Sequence, residues 1–357
     1  MNASLTELQA QLRDIKDHLQ TLKDSQAFLD KTRRFKLCTL VTSSGEYLKN
    51  ILARRNQEKE YEFKANIVSL YGAFEHFVEN LIREYLLELS NLCSSFSDMG
   101  TVIQNKYVEK WKVLHTSFKR GHTKYAVTEQ QLIMNLNNTM INDANSVMAE
   151  CFIPIGGNYR HDVVCDCLTD LGLTNNIKSN LAKYEPLNGY LSKENSETVD
   201  TYNVICLKIN NLVDRRNEIA HGGLTTIMGD EEFEELIGFI DVYATTLNNS
   251  LNDELLRVEW EHKQGIEDKQ PSDFFTGLSV AAFRTNHVSI SIGGQYLVHW
   301  NEKHYPRYDK ATIKELYVEN DDGSSQAVDS VVATDSLRVF SIKTDDSVTR
   351  NCHFKFL

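Results

Sequence analysis

The residues best suited to chemistry lie in one short polar segment, DRRNEIAHGG at positions 214–223. It places Arg216, Asn217 and His221 within six residues at the end of an apolar helical run. An always-charged guanidinium beside a histidine that titrates near neutral pH can stabilise developing negative charge and transfer protons. A guanidinium and an imidazole are the smallest set of side chains that can cleave an RNA phosphodiester without a metal ion.

The helix before this segment sets the directions of its side chains. We predict a helix from Thr198 to about His221, ended by the two glycines that follow. At 100° per residue, Arg216 falls in the middle of an apolar stripe, with Asn217 about 100° and His221 about 140° away. The stripe consists of Ile205, Ile209, Leu212, Ile219 and Ala220.

An ideal helix would therefore not aim Arg216 and His221 at one atom. Three arrangements can reconcile them: the long reach of arginine, fraying at the glycine pair, or a second copy of the helix that supplies the other half of the site. A guanidinium on an apolar face also needs an anionic partner or a wet cleft.

Glu75 is the partner that the sequence offers for Arg216. It lies at the edge of the apolar stripe of an earlier helical region, about Glu46 to Leu89. Because a carboxylate there needs a cation, we expect the two to meet and Glu75 to fix the orientation of Arg216. Arg215 falls off the stripe and is predicted to face solvent or contact phosphate. In a purely structural alternative, the pair is buried and His221 caps the helix.

The pattern Arg216-Asn217-x-x-x-His221 resembles the R-x(4–6)-H signature of the HEPN superfamily, in its RNxxxH form. The helix YGAFEHFVENLIREY, which contains Glu75, looks like the early helix of HEPN domains. The resemblance covers about Glu46 to His262. It leaves out the leading helix, the middle insertion and the C-terminal region.

The resemblance implies an all-helical domain that dimerises, with two such motifs facing each other in a shared cleft. It also implies a metal-independent endoribonuclease without a cofactor, of the kind found in anti-phage abortive-infection and toxin systems. The RNA 2′-hydroxyl would attack the adjacent phosphorus, with His221 as general base or acid and Arg216 stabilising the transition state. Asn217 would position His221 or a phosphate oxygen, and the products would carry 2′,3′-cyclic phosphates.

The partners implied are RNA, with tRNA as one candidate, a second copy of the chain, and a phage-derived trigger or inhibitory protein. The alternative is a non-catalytic dimeric HEPN scaffold or sensor that binds a protein or nucleotide. A third interpretation, compatible with both, makes the C-terminal region the sensor.

A basic cluster between Gln104 and Lys124 holds six cations against one anion. Lys119, Arg120 and Lys124 of this cluster are our candidates for RNA binding, and interleaved aromatic residues could stack on bases. A solvated helix whose aromatic side chains pack into the core would explain the same sequence equally well.

Composition limits the remaining possibilities. The net charge of −12 argues against a protein coated in nucleic acid. No apolar run long enough for a membrane span occurs, and the first residues lack a signal-peptide core, so we predict a cytoplasmic protein. The seven cysteines indicate reduced thiols. His161, Cys165 and Cys167 suggest zinc, but their spacing matches no common site, and buried thiols are the favoured interpretation.

The sequence thus predicts a mainly α protein with a small C-terminal antiparallel β domain. We expect an amphipathic helix and linker over 1–45, and a HEPN-like helical bundle over 46–268 with a basic insertion at about 91–195. After Pro271, alternating segments such as HVSISIG and SLRVFSIK, separated by turn residues, predict the β domain over 269–357. The leucine stripe of the leading helix suits a partner helix or a dimer seam.

Overall fold

The computed structural model describes residues 1–34, 42–122, 125–156, 158–173, 177–194, 201–223, 226–263, 266–285, 287–300, 305, 307–320, 322–333, 338–344 and 348–357. It is mainly helical and ends in small antiparallel sheets, which confirms the predicted fold class. Contacts divide the chain into two compact units, Met1–Asn248 and Asn249–Leu357, which are described separately. The predicted domain boundaries at 45/46 and 268/269 stay predictions.

The helices account for most of the first unit. Their bounds are α1 Ala3–Arg34, α2 Thr42–Leu92, α3 Thr101–Lys119, α4 Glu129–Met140, α5 His161–Asp170, α6 Ile177–Asn180, α7 Leu187–Glu194, α8 Thr201–Ala220 and α9 Asp230–His262. The division between the units falls inside α9. No helix in the described part of the chain is both long enough and apolar enough to cross a membrane.

The leucine stripe of α1 has its partner within the same chain. Leu8, Leu12 and Leu19 are buried, and α1 packs against α2. The backbone N–H of Ser4 donates a hydrogen bond to Glu84 Oε1 of α2 at 2.6 Å. Of the two arrangements that the sequence allowed for this stripe, the structure therefore has the partner helix.

The long helix α2 is the scaffold for the motif helix α8. Its predicted stripe is buried throughout and consists of Phe63, Ile67, Leu70, Phe74, Phe77, Leu81 and Tyr85. Helix α8 packs on α2, and α9 adds the ring contact Phe74–Tyr243, with centroids 6.0 Å apart. Burial of one such aromatic side chain stabilises a fold by about 1.5–3 kcal/mol, which is why this stripe determines the packing of the unit.

The middle segment, predicted as a basic insertion at about 91–195, contains the helices α3 to α7. Helix α4 begins with a capping box in which Thr128 and Gln131 satisfy each other's backbone N–H groups. Helix α5 packs against α8. The segment therefore brings the residues just before α5 close to the motif helix.

The second unit contains the C-terminal part of α9 and the sheets. The strands are β1 Asp273–Phe275, β2 Val280–Thr285, β3 Val288–Ser291, β4 Gln295–Trp300, β5 Tyr308–Thr312, β6 Leu316–Glu319, β7 Ser325–Ala327, β8 Ser330–Ala333, β9 Arg338–Lys343 and β10 Cys352–Phe356. They form antiparallel sheets in the orders β1-β2-β9-β6-β7, β10-β4-β5 and β3-β8. Stacked and edge-on phenylalanines make the core, including Phe283, Phe340, Phe354 and Phe356.

Candidate active site

The motif helix α8 ends in a Schellman motif that places His221 at its C-cap. Gly222 N donates to Ile219 O at 3.1 Å and Gly223 N donates to Glu218 O at 2.8 Å. Gly222 has a φ of +73°, which favours glycine, and a Cβ on Gly223 would lie 3.2 Å from Glu218 O, a tight contact. His221 is exposed at this end of the helix.

Arg216 is half-buried in line with the apolar stripe of α8, as the helical wheel predicts. Its guanidinium carbon lies 5.0 Å from the ring centroid of Tyr71 on α2, a cation–π geometry. Nη1 donates a hydrogen bond to Asn217 Oδ1 at 3.0 Å. Within the described residues no other protein acceptor binds this guanidinium, although arginine carries five N–H donors.

Asn217 is the connecting residue of the motif. Its side-chain oxygen accepts from Arg216, and its Nδ2 donates to Asn158 Oδ1 at 3.2 Å. Its contact with His221 is made by the backbone, where His221 N donates to Asn217 O at 3.0 Å. The side chain of Asn217 therefore orients Arg216 instead of the imidazole.

Glu75 lies one turn beyond Tyr71 on α2, next to the ring that supports Arg216. The contacts of Arg216 in the described part of the chain do not include Glu75, so this structure does not bring the predicted pair together. The carboxylate acts at longer range on two phenols. Burial is the main cause of the raised pKa values of Tyr125 and Tyr159, and Glu75 adds to both.

A second carboxylate, Glu79, is buried one turn further along α2. It accepts a hydrogen bond from Tyr159 Oη at 2.9 Å and lies 3.6 Å from Arg83. The backbone N–H of Tyr159 donates to Tyr71 Oη at 3.3 Å. Sequence reasoning missed Glu79, although its position four residues after Glu75 placed it on the same helical face.

Residues 158–160, which immediately precede α5, form the wall of the site next to α8. Asn158 accepts the hydrogen bond from Asn217, and Arg160 forms a two-point ion pair with Asp214, one N···O distance being 3.3 Å. The hydrogen bond to Asp214 raises the pKa of Arg160. The partners of this segment on α8 lie more than fifty residues away along the chain.

Arg215 points away from Arg216 and holds the chain that follows the motif. Its Nε donates to Asn211 Oδ1 and its Nη1 to Thr226 O, both at 2.6 Å, and the guanidinium lies over the ring of Phe63. The guanidinium thus fastens the end of the loop to α8 and α2. Its predicted contact with phosphate stays a prediction.

Acidic residues pair with part of the basic cluster. Lys119 lies 2.5 Å from Glu129, and Lys110 lies 2.5 Å from Asp170. Arg120 is exposed at the C-cap of α3, and Lys124 lies outside the described residues. The RNA-binding role of Lys119, Arg120 and Lys124 stays a prediction.

The His161 cluster belongs to the core of the first unit. His161 is fully buried, and its Nδ1 lies 2.8 Å from Tyr243 Oη. Burial lowers the pKa of this imidazole to about 4 and raises the pKa values of Cys165 and Cys167 to about 12. Among the described residues no group of three His, Cys, Asp or Glu side chains could hold a metal ion.

An open groove of about 630 Å³ follows the exposed side of α8 up to the motif. Leu207 in this groove has 70% of its surface exposed. The groove is lined by Asn203, Cys206, Leu207, Asn210, Asn211, Asp214, Arg215, Glu218 and Thr226.

A family model provides the comparison with known proteins. The RiboL-PSP-HEPN model matches residues 6–253, which include α2, α8 and the motif. The chain is a member of the RiboL-PSP-HEPN family. No curated protein and no solved structure matches it.

The extent of this match corrects the sequence analysis. The expected resemblance began at about Glu46 and left out the leading helix and the insertion, whereas the family model begins at residue 6 and runs through both. It ends at residue 253, before the first strand. Membership assigns the helical unit to a superfamily of the ribonuclease type.

Proposed function

We propose that this RiboL-PSP-HEPN protein is a metal-independent endoribonuclease whose site contains Arg216, Asn217 and His221. One observation carries the proposal. The half-buried Arg216 rests on the Tyr71 ring and uses one hydrogen bond, to Asn217, within the described part of the chain. Its other donors can bind a phosphate oxygen, and the exposed His221 lies at the end of the same helix.

The chemistry follows from these two side chains. The RNA 2′-hydroxyl attacks the adjacent phosphorus, an O–P bond forms, and the bond from phosphorus to the 5′-oxygen breaks. His221 either accepts the proton of the 2′-hydroxyl, while water protonates the leaving 5′-oxygen, or protonates that oxygen, while water accepts the 2′-hydroxyl proton. Arg216 stabilises the charge on the pentacoordinate phosphorus. Products then carry 2′,3′-cyclic phosphate and 5′-hydroxyl ends, and DNA is not cut.

Two copies of the chain complete the site in this proposal. Arg216 is turned inward over Tyr71, whereas His221 is exposed at the helix end, so one copy does not aim both at one atom. The groove with its exposed Leu207 gives the second copy an apolar point of contact.

The first test is cleavage of total RNA and tRNA by the purified protein in EDTA. We expect cyclic-phosphate ends from the wild type and no cleavage by Arg216→Ala or His221→Ala. His18→Ala, which changes an exposed histidine of α1, is the matched control and should cleave normally. Cleavage that survives both changes at the motif would refute the proposal, and an inactive wild type would favour the scaffold function.

Mixing inactive variants tests the shared site. If Arg216 of one copy works with His221 of the other, Arg216→Ala and His221→Ala proteins regain activity when mixed, because each heterodimer keeps one intact pair. Leu207→Glu should shift the protein toward monomer in analytical ultracentrifugation. No recovery on mixing would assign both residues to one protomer.

The biological role that we propose is that of an anti-phage defence or toxin effector. Support comes from the kind of system in which HEPN ribonucleases act, and from the harm that unrestrained RNA cleavage would do to a host. Expression of the wild type should arrest growth or block phage replication, and His221→Ala should do neither. A His221→Ala protein that protects as well as the wild type would indicate a sensor without cleavage.

Glu75 enters the proposal as a positioning residue. Glu75→Gln should lower cleavage through the cluster of Tyr71, Tyr159 and Glu79 that supports Arg216, and should weaken folding little. Unchanged activity and stability would remove Glu75 from the site.

A further inference from the structure

The strongest additional feature of the site is a second arginine beside the motif. Arg160 pairs with Asp214 of α8, two residues before Arg216 and three before Asn217. Because residues three and seven apart share a helical face, Asp214, Asn217 and His221 lie on the same side of α8. The Arg160 guanidinium therefore lies next to the face that carries the exposed histidine.

The ion pair is reachable from solvent. The side chains of Arg160 and Asp214 are 37% and 53% exposed. Exposed pairs of this kind typically contribute little to stability, because water and salt screen them. An incoming anion can therefore replace Asp214 at low cost.

The backbone holds Arg160 in place without the help of Asp214. Arg160 is the N-cap residue of α5, and its carbonyl accepts from Val164 N at 3.0 Å. The preceding Tyr159 is fully buried and bonded to Glu79, and Asn158 is bonded to Asn217. The guanidinium thus starts from a fixed point, which reduces the entropy lost when it binds a ligand.

We propose that Arg160 is a second phosphate-binding residue of the site, and that Asp214 is a counter-ion which the RNA backbone displaces. A phosphate offers arginine the same two-point geometry as a carboxylate. This inference rests on the proposed ribonuclease function and adds a residue from outside the motif. The competing explanation is an ion pair that merely ties α5 to α8.

The test measures binding of a short, fluorescently labelled single-stranded RNA across a salt series, in a His221→Ala background that prevents cleavage. Arg160→Gln should weaken binding about 5- to 30-fold and reduce the slope of log K against log salt by about 0.7, the value for one lost phosphate contact. Arg160→Lys should keep the slope and lose part of the affinity. Lys178→Gln is the matched control, because Lys178 is 39% exposed and also pairs with aspartates of α5.

A double-mutant cycle separates a displaced counter-ion from a general charge effect. Asp214→Asn should tighten RNA binding several-fold when Arg160 is present and should have little effect in the Arg160→Gln background. Equal gains in both backgrounds would show that Asp214 only repels RNA. An Arg160→Gln protein that binds RNA like Lys178→Gln would overturn the proposal.

Cleavage by the otherwise wild-type protein distinguishes the two possible failures. If that protein cleaves RNA and Arg160→Gln cleaves as fast as Lys178→Gln, the inference about Arg160 fails and the ribonuclease function stands. If it neither cleaves nor binds RNA, both fail. If it binds RNA through Arg160 without cleaving, the catalytic function fails and the phosphate site stands.

Discussion

Two histidines lie beside α8, and their surroundings differ completely. His161 is fully buried, its ring contacts Tyr243, and its backbone N–H donates to Asn210 of α8 at 3.3 Å. His221 is exposed at the C-cap of the same helix, and no described residue forms a hydrogen bond with its ring. The comparison shows that burial decides whether a histidine belongs to the core or can exchange protons with a ligand.

For each histidine, the neighbouring residues in the sequence suggest a role that differs from the one its place in the structure indicates. His161 has two cysteines close by, an arrangement that suggests a ligand cluster, yet these side chains are buried core groups. His221 belongs to a short pattern that occurs often by chance, yet it lies at the end of the helix that carries Arg216, whose guanidinium has unused donors within the described residues. Substituting each histidine in turn, and comparing the effects on activity and on stability, therefore tests the difference between the two regions.

The largest expected effect is on catalysis. His221→Ala should lower the cleavage rate by about 10²–10⁴-fold, the usual contribution of a general acid or base. Because the side chain is exposed, the free energy of unfolding should change by less than about 0.5 kcal/mol. His161→Ala should do the reverse, destabilising the fold while the folded fraction keeps its activity per molecule. Single-turnover cleavage and urea unfolding measure both, and a stable but inactive His161→Ala would contradict the comparison.

Arg216→Lys should lower the cleavage rate about 10²-fold, although the substitution keeps the positive charge. Lysine lacks the planar fork that can rest on Tyr71 and reach two phosphate oxygens. Single-turnover rates measure the change, with Arg13→Lys on an exposed part of α1 as the control. A lysine variant with full activity would show that charge alone is needed at this position.

The pH dependence of stability should report on His161. Above pH 6.5 the imidazole is neutral in both the folded and the unfolded chain, so it adds no pH dependence. Between pH 6.5 and about 4 the unfolded chain binds a proton that the folded chain excludes, and stability falls as the pH falls. The whole effect is about 3 kcal/mol.

Urea unfolding of the wild type and His161→Gln across this pH range measures the effect. The variant should lack this part of the slope, whereas His18→Gln should keep it. Parallel curves for the wild type and His161→Gln would mean that another group causes the acid sensitivity.

The smallest expected effect concerns the glycine that follows His221. Gly222→Ala should destabilise the first unit by about 1–2 kcal/mol, because an L-residue resists the positive φ at this position. Cleavage should fall as well, since the change moves the C-cap that holds His221. Gly238→Ala, in a helical position of α9 with open space around it, should be neutral or stabilising. Thermal unfolding would measure both, and equal effects would contradict the role of the Schellman motif.

The sequence by itself determined the helical class, the C-terminal β region and the position of the motif. Periodicity sufficed for α2, because its stripe from Phe63 to Tyr85 repeats at helical spacing and is buried as a unit. The glycine pair after His221 sufficed for the end of α8, because only glycine fits a positive φ without strain. The five-residue interval between Arg216 and His221 then fixed how far apart these two candidate side chains lie along the helix.

Only the tertiary structure decided which groups surround Arg216. Two charges at the edges of apolar stripes suggested the pair with Glu75, whereas the contact that the structure gives the Arg216 guanidinium on α2 is the ring of Tyr71, 5.0 Å away. The contacts of Asn158 and Arg160 could not be predicted from the sequence either, because their partners lie more than fifty residues away along the chain. Helical periodicity describes one element at a time, whereas these contacts depend on how α2, α5 and α8 pack, and local sequence does not encode that geometry.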